Sequence, residues 1–268
     1  MGITFYKYQG AGNDFIMVDD RDQTFPVSTA YINRLCDRRF GIGADGLILL
    51  QNIQGYDFNM VYFNSDGNPS SMCGNGGRCL AAFAKFLGIG GSELSFLAVD
   101  GPHKAYFTGD LVSLQMKNVP EITHRGDDLV LNTGSPHYVR FMQYIKQLDI
   151  IPAAHAIRHN AEFDKEGINV NFVEIDSSQP NHISLRTFER GVEDETLACG
   201  TGVVASSLAY HHSVSSKNDG PTKNHIFIKA MGGNLEVKFD YSPVTGYSDI
   251  WLIGPAEYVF EGVIPESK

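Results

Sequence analysis

The sequence predicts a mixed α/β fold of the α+β type, built as two similar halves, each a layer of mostly antiparallel strands around a central helix. Three observations carry that expectation. The tetrapeptide Cys-Gly-X-Gly occurs twice, at Cys73-Gly74-Asn75-Gly76 and Cys199-Gly200-Thr201-Gly202, 126 positions apart. Two other landmarks keep nearly the same offset: Phe15 answers Tyr138 at 123 positions, and Phe63 answers Phe188 at 125. Each tetrapeptide opens a helix-like run that is apolar almost all round, as buried helices are.

The elements follow in chain order. Ile3–Tyr8, Phe15–Val18, Leu47–Leu50, Phe58–Phe63, Leu94–Val99 and Leu111–Met116 read as strands, rich in β-branched and aromatic residues between turn residues. Ser28 is the expected N-cap of a helix over Thr29–Arg39. A second helix is expected over Gly76–Leu87, where Arg78 and Lys85 are the only charges among Leu80, Ala81, Phe83, Ala84 and Phe86. In the second half the strands are Leu129–Leu131, Tyr138–Phe141, Ile168–Ile175, Ile183–Phe188, His225–Lys229, Leu235–Phe239 and Ile250–Ile253. Helices are expected in the later part of Tyr138–Leu148 and over Gly202–His212. A strand pattern ends at Asn118-Val119-Pro120, which divides the chain into 1–118 and 119–255. Tyr258–Ile264 reads as a strand, so 256–268 is expected to return to the first half.

Composition bounds the function. A length of 268 residues with 43% apolar and 19% charged residues describes an ordinary globular protein. A net charge of −10 argues against nucleic acid or an anionic membrane as partner. No apolar run approaches the roughly 20 residues of a transmembrane helix. Met1–Tyr6 has no basic n-region and no apolar h-region, and Tyr6 stands where a myristoylation signal wants Ser or Thr. Cys36, Cys73, Cys79 and Cys199 have no disulfide-framework spacing, which fits a reducing, cytoplasmic setting. Cys36 and Cys79 read as packed structural thiols.

Several motifs compete. Gly41-Ile42-Gly43-Ala44-Asp45-Gly46 matches the dinucleotide fingerprint by letter, but a helix precedes it and a strand follows, the reverse of what that motif needs. It reads as a tight loop. No C-x-x-C occurs and the histidines do not pair with cysteines in sequence, so no metal is expected. His211-His212 reads as a solvated helix end. Cys73 and Cys199 as a redox pair is a competing reading, although such dithiols are usually close in sequence.

Acid–base chemistry explains more. A cysteine at a helix N-terminus lies where a thiolate is stabilised. The backbone N–H groups of Gly74, Asn75, Gly200 and Thr201 suit a carboxylate, and two thiols on opposite faces of a carbon can remove and return its proton. Glu189-Arg190 follows a strand about ten residues before its cysteine, and would select a second carboxylate and ammonium.

The chain resembles diaminopimelate epimerases along essentially its whole length. Gly10-Ala11-Gly12-Asn13-Asp14-Phe15, Gly41–Gly46, Asn64-Ser65-Asp66-Gly67 and Met72–Gly76 carry the likeness in the first half. Pro136-His137, Asn169-Val170-Asn171-Phe172, Glu189-Arg190-Gly191 and Ala198–Gly202 carry it in the second. The resemblance implies barrel-like halves with the site in the cleft between them, and a cofactor-free epimerase that interconverts LL- and meso-2,6-diaminopimelate for lysine and peptidoglycan precursors. It makes Cys73 and Cys199 the acid/base pair and has Gly74, Asn75, Gly200 and Thr201 hold the reacting carboxylate. Asn13, Asn64, Asn169, Glu189 and Arg190 bind the distal end, and Ser135 stands where many members have Asn. His137 and Glu189 tune the cysteines, and a homodimer is implied. Gly46 stands where many members have Gln, so a contact there is expected to be lost or taken by water. Proline racemase and hydroxyproline epimerase share the paired cysteines, but Asn75 and Leu197-Ala198 depart from their usual motifs. A non-catalytic thiol sensor is the alternative of a different class.

Overall fold

A computed structural model describes residues 2–70, 72–215 and 220–265. The chain forms two compact units, Met1–Leu114 with Gly254–Lys268, and Gln115–Ile253.

In the first unit, β1 (Ile3–Gly10) and β2 (Asn13–Asp19) form a hairpin. Its two-residue turn, Ala11-Gly12, has φ of 53° and 91°. Two left-handed residues match the twist of the flanking strands. Then come α1 (Thr29–Cys36), β3 (Gly46–Gln51), β4 (Phe58–Asn64), α2 (Gly74–Phe86), β5 (Glu93–Ala98), β6 (Gly101–Thr108) and β7 (Leu111–Gln115). The second unit contains β8 (Thr123–Arg125), β9 (Asp128–Asn132), β10 (Pro136–Phe141), α3 (Ile150–Arg158), β11 (Asn169–Ile175), β12 (His182–Glu189) and β13 (Asp194–Thr196). It continues with α4 (Gly200–Val214), β14 (Thr222–Ala230), β15 (Gly233–Ser242) and β16 (Gly246–Pro255), and the chain closes with β17 (Glu257–Ile264).

The pairings repeat. In the first unit β1–β2 is antiparallel, β2–β3 parallel across α1, β3–β4 antiparallel, β4–β5 parallel across α2, and β5–β6–β7 antiparallel. In the second, β9–β10, β10–β11 across α3, β11–β12, β12–β14 across α4 and β14–β15–β16 follow the same sequence of directions. β17 flanks β1 antiparallel as β8 flanks β9. The duplication read from three landmarks therefore extends to the whole ladder.

Packing explains the two helix types. β3 is buried on both faces and is accordingly a continuous apolar run, Leu47–Leu50. Leu47 and Leu49 join Ile32 and Leu35 of α1 in one cluster, while Ile48 reaches α2 at Gly76. α2 and α4 are the buried central helices: Leu80, Phe83, Val204 and Leu208 are all fully enclosed. Truncating Phe83 to Ala would cost about 3–5 kcal/mol.

The differences from the sequence reading are local. The helix expected late in Tyr138–Leu148 is instead the end of β10, Tyr144 in a left-handed conformation, and a 3₁₀ turn over Ile145–Gln147. The regular helix there is α3, and its first turn holds Pro152, where a missing N–H costs nothing. α1 stops at Cys36 rather than Arg39, because the Asp37 carboxylate accepts from Arg39 and Phe40 N–H in a competing turn. β6, β8 and β13 were not foreseen; β6 carries Lys and Thr on an exposed face. His211 is buried rather than solvated, with Tyr247 Oη 3.1 Å from Nδ1 and its ring against Phe239 and Tyr241.

Candidate active site

Both motif cysteines are N-caps. Cys73 and Cys199 have extended backbones, φ −105° and −98°, and their carbonyls accept from Gly77 and Val203 N–H at 2.8 and 2.9 Å. Ser, Thr, Asp or Asn caps a helix best, and replacing one typically costs about 1 kcal/mol. Cysteine at both caps gives up that gain and places sulfur beside the N-terminal N–H groups. Gly76 N–H points at Cys73 Sγ at 3.5 Å. Gly74, Asn75, Gly200 and Thr201 form the first turns, whose N–H groups have no acceptor within the helix.

Beside Cys73, a chain of amides runs in one direction. Arg78 can only donate, so its Nη2 fixes Asn75 Oδ1 as acceptor, at 3.0 Å. Asn75 Nδ2 then donates to Asn13 Oδ1 at 2.5 Å, and Asn13 Nδ2 to Asp45 Oδ2 at 2.9 Å. A cation at one end and a carboxylate at the other leave neither asparagine able to flip. Arg38 braces the far end, bonding Asp45 and Asp14 at 2.7 Å each. Burial raises the pKa of Asp14, but Arg38 and Lys7 outweigh it and hold it down at about 2.

Beside Cys199 the relay is neutral. Asn171 Nδ2 donates to the Tyr138 carbonyl at 3.1 Å and faces His137 Nδ1 at 3.0 Å, while Asn171 Oδ1 accepts from Thr187 Oγ1. His137 Nδ1 is therefore the acceptor and Nε2 carries the hydrogen, which it directs to Thr201 Oγ1 at 2.9 Å. Thr201 Oγ1 lies 3.5 Å from Cys199 Sγ, and the Thr201 carbonyl accepts from Thr133 at 2.9 Å. Complete burial, helped by the Arg190 charge, pushes His137 down to about 3, so it stays a neutral imidazole.

A third group lies at the end of β12. Asn169 Oδ1 accepts from Arg190 N–H at 2.9 Å, and its Nδ2 donates to Ser135 Oγ at 2.8 Å. Arg190 reaches Ser135 Oγ at 3.5 Å and the Glu166 carbonyl at 3.1 Å, and Glu189 accepts from Thr196 at 3.0 Å. Asn64 lies exposed at the end of β4, opposite Gly46. At Gly46 a Cβ would meet the Phe63 carbonyl and the Tyr62 ring at 2.5 Å each, so an aromatic ring and backbone lie against that position. Among the described residues, no three His, Cys, Asp or Glu side chains converge to hold a metal ion.

The family model described as diaminopimelate epimerase matches residues 5–113 and 129–248. A diaminopimelate epimerase of Flavobacterium psychrophilum is 52% identical over 98% of this chain and 100% of its own length. The chain belongs to the diaminopimelate epimerase family. Another family member, from Chlorobaculum tepidum, is 42% identical over 95% of this chain and 98% of its own. Solved structures share the fold at low identity. A PhzF-family phenazine biosynthesis protein of Bacillus anthracis superposes with a TM-score of 0.77, at 13% identity and 99% coverage of both chains. A probable proline racemase of Agrobacterium radiobacter gives 0.69, at 14% identity over 99% of this chain and 93% of that one.

Within this family chain, sequence reasoning missed Asp45, Arg78, Thr133, Asn171 and Thr187, which orient the residues it named. Asn171 left a signal: it is a polar residue between Val170 and Phe172 on a strand buried on both faces. Such a residue must be hydrogen-bonded.

Proposed function

We propose that this chain is a cofactor-independent epimerase that interconverts LL- and meso-2,6-diaminopimelate with two cysteines as acid and base. The observation that carries the reading is the duplicated cap: in each unit a cysteine stands at the N-terminus of a buried helix, followed by glycine and a polar residue. One thiolate takes the α-proton, and the other thiol returns a proton to the opposite face. The sulfur that gives up its proton becomes the thiolate that serves the reverse reaction. The reaction therefore demands a substrate reached by both thiols, one on each face of its α-carbon. First-turn N–H groups of Gly74, Asn75, Gly200 and Thr201 receive the charge that develops on the carboxylate. Arg190, with Ser135 and Asn169, offers donors to a distal carboxylate, and Glu189, Asn13 and Asn64 complete recognition of the distal end. His137, fixed as the Nε2–H tautomer, acts on Cys199 through Thr201. Glu189, which accepts from Thr196 on the segment leading to Cys199, modulates the same thiol.

The product suits lysine and peptidoglycan precursor synthesis, and a reducing cytoplasm would keep all four cysteines reduced. No helix among the described residues is long and apolar enough to cross a membrane. A homodimer is supported by β17, where Tyr258, Val259, Phe260 and Val263 expose apolar surface beside Phe86, which stacks on Tyr258. Light scattering of the pure protein tests that assembly.

Incubation with LL-diaminopimelate in D₂O without cofactor tests the reaction. Deuterium at the α-carbon of a meso product supports it. No exchange under reducing conditions, with exchange into proline or hydroxyproline instead, would move the assignment to the racemase class.

A further inference from the structure

Arg78 is fully buried in the second turn of α2. Its Nη2 bonds Asn75, and its Nε and Nη1 have no hydrogen-bond partner among the described residues. A guanidinium does not shed its proton, and a buried cation without a counter-charge is expensive. Arg78 stands on the helix that Cys73 caps and bonds Asn75 in its first turn, and the ionisable groups that act on it are the thiols of Cys79 and Cys73. Burial pushes Cys79 up to about 12, so that thiol is protonated at neutral pH. This leaves Cys73 to supply the opposite charge.

The surroundings offer no better candidate. α2 packs on β1, β2, β3 and β17. Among their titratable groups, Lys7 pairs with Asp14 and Asp19 with Arg21. Glu257 keeps its charge while accepting from the neutral Gln9, but its field falls on Cys79, whereas the groups acting on Arg78 are Cys79 and Cys73. Glu261 bonds Tyr258, and Tyr6, Tyr8 and Tyr258 are all raised above their ordinary values by burial first of all, so they are neutral. β3 carries no ionisable side chain. In the other unit the position matching Arg78 is Val204, and the polar partner of that cysteine's relay is the neutral His137.

We propose that Arg78 is a positioning residue: it supplies the standing counter-charge for a Cys73 thiolate and fixes the orientation of Asn75, so that Cys73 rather than Cys199 is ionised before substrate arrives. The proposal deepens the two-thiol reading and rests on it for its catalytic meaning, although its test needs no substrate.

The experiment is iodoacetamide alkylation of the full-length protein across pH 6–9.5, with peptide mass spectrometry following Cys73 and Cys199 in the same digest. In the wild type, Cys73 is expected to titrate about one pH unit or more below Cys199, a tenfold difference in thiolate population. Arg78→Met is expected to raise the Cys73 midpoint by about one unit and leave that of Cys199 unmoved; Arg78→Lys restores most of the shift. A merely structural arginine would move neither midpoint, or both together. An unmoved Cys73 midpoint in folded Arg78→Met overturns the proposal. If that variant does not fold, the wild-type order decides, and Cys199 titrating first or together with Cys73 overturns it. The deuterium experiment judges the epimerase reading separately, so the two failures remain distinguishable.

Discussion

The helices α2 and α4 begin alike and are supported differently. Both start on an extended cysteine, continue through Gly-X-Gly and lie at the centre of a matching strand ladder. Beneath Cys73 the support is charged, from Arg78 through Asn75 and Asn13 to Asp45. Beneath Cys199 it is an uncharged relay of Thr187, Asn171, His137 and Thr201. Duplication preserves the cap geometry that the proposed two-base mechanism uses twice, while the surroundings set each sulfur separately. A charge in place of a dipole changes which proton form a thiol prefers, without moving the backbone.

The strongest way to break this comparison is at the sulfurs. Cys73→Ser and Cys199→Ser are each expected to lower turnover by about 10³-fold with the fold intact, because in the proposed mechanism each supplies one general acid or base. Full turnover by either variant would remove the two-base mechanism. The glycines give the next contrast. A Cβ at Gly202 would lie 2.5 Å from Asn171 Oδ1, inside the relay, whereas at Gly76 it would lie 2.9 Å from the flexible tip of Ile48. Gly202→Ala is therefore expected to lower kcat by about 10²-fold, the scale of a misplaced catalytic group. Gly76→Ala should stay within about fivefold, and equal losses in steady-state assays would contradict the distinction.

Thr201→Val cuts the link between His137 and Cys199 and is expected to cost about tenfold in kcat/KM, the worth of one hydrogen bond to a charged group. The Cys73 alkylation midpoint should not change. The smallest effect at neutral pH belongs to His137→Gln, which keeps a polar group but cannot protonate. His137 lies at about 3 in the fold against an ordinary 6.5, so below 6.5 the unfolded chain takes up a proton that the folded chain refuses. Stability is therefore lost as pH falls through this window, by about 2 kcal/mol between pH 7 and pH 5. Urea unfolding of His137→Gln at those two pH values should show that loss removed.

Much of this arrangement is legible in the sequence, and its limits have physical causes. Continuous apolar runs such as Leu47–Leu50 announce strands buried on both faces, and two Cys-Gly-X-Gly motifs at matched spacing announce two equivalent helix caps. What escaped depends on tertiary partners. His211 has the sequence of a solvated helix end, but Tyr247 and Phe239 come from distant strands to cover it. Tyr62 fills the space beside Gly46 from the neighbouring strand, and no local pattern reports that. Arg78 is a charge on an apolar helix, and its burial depends on elements from both ends of the chain.

The seat of β17 beside β1 has a consequence for synthesis. The second unit is contiguous in the chain, so it is synthesised in one stretch before β17. The first unit, although made first, has to wait with β1 as an open edge until the final strand emerges. At roughly 5–20 residues per second that wait covers the whole time needed to translate the second unit. An unpaired strand edge invites association with other chains. Truncation after Ile253 should therefore produce aggregation rather than an independently folded first unit.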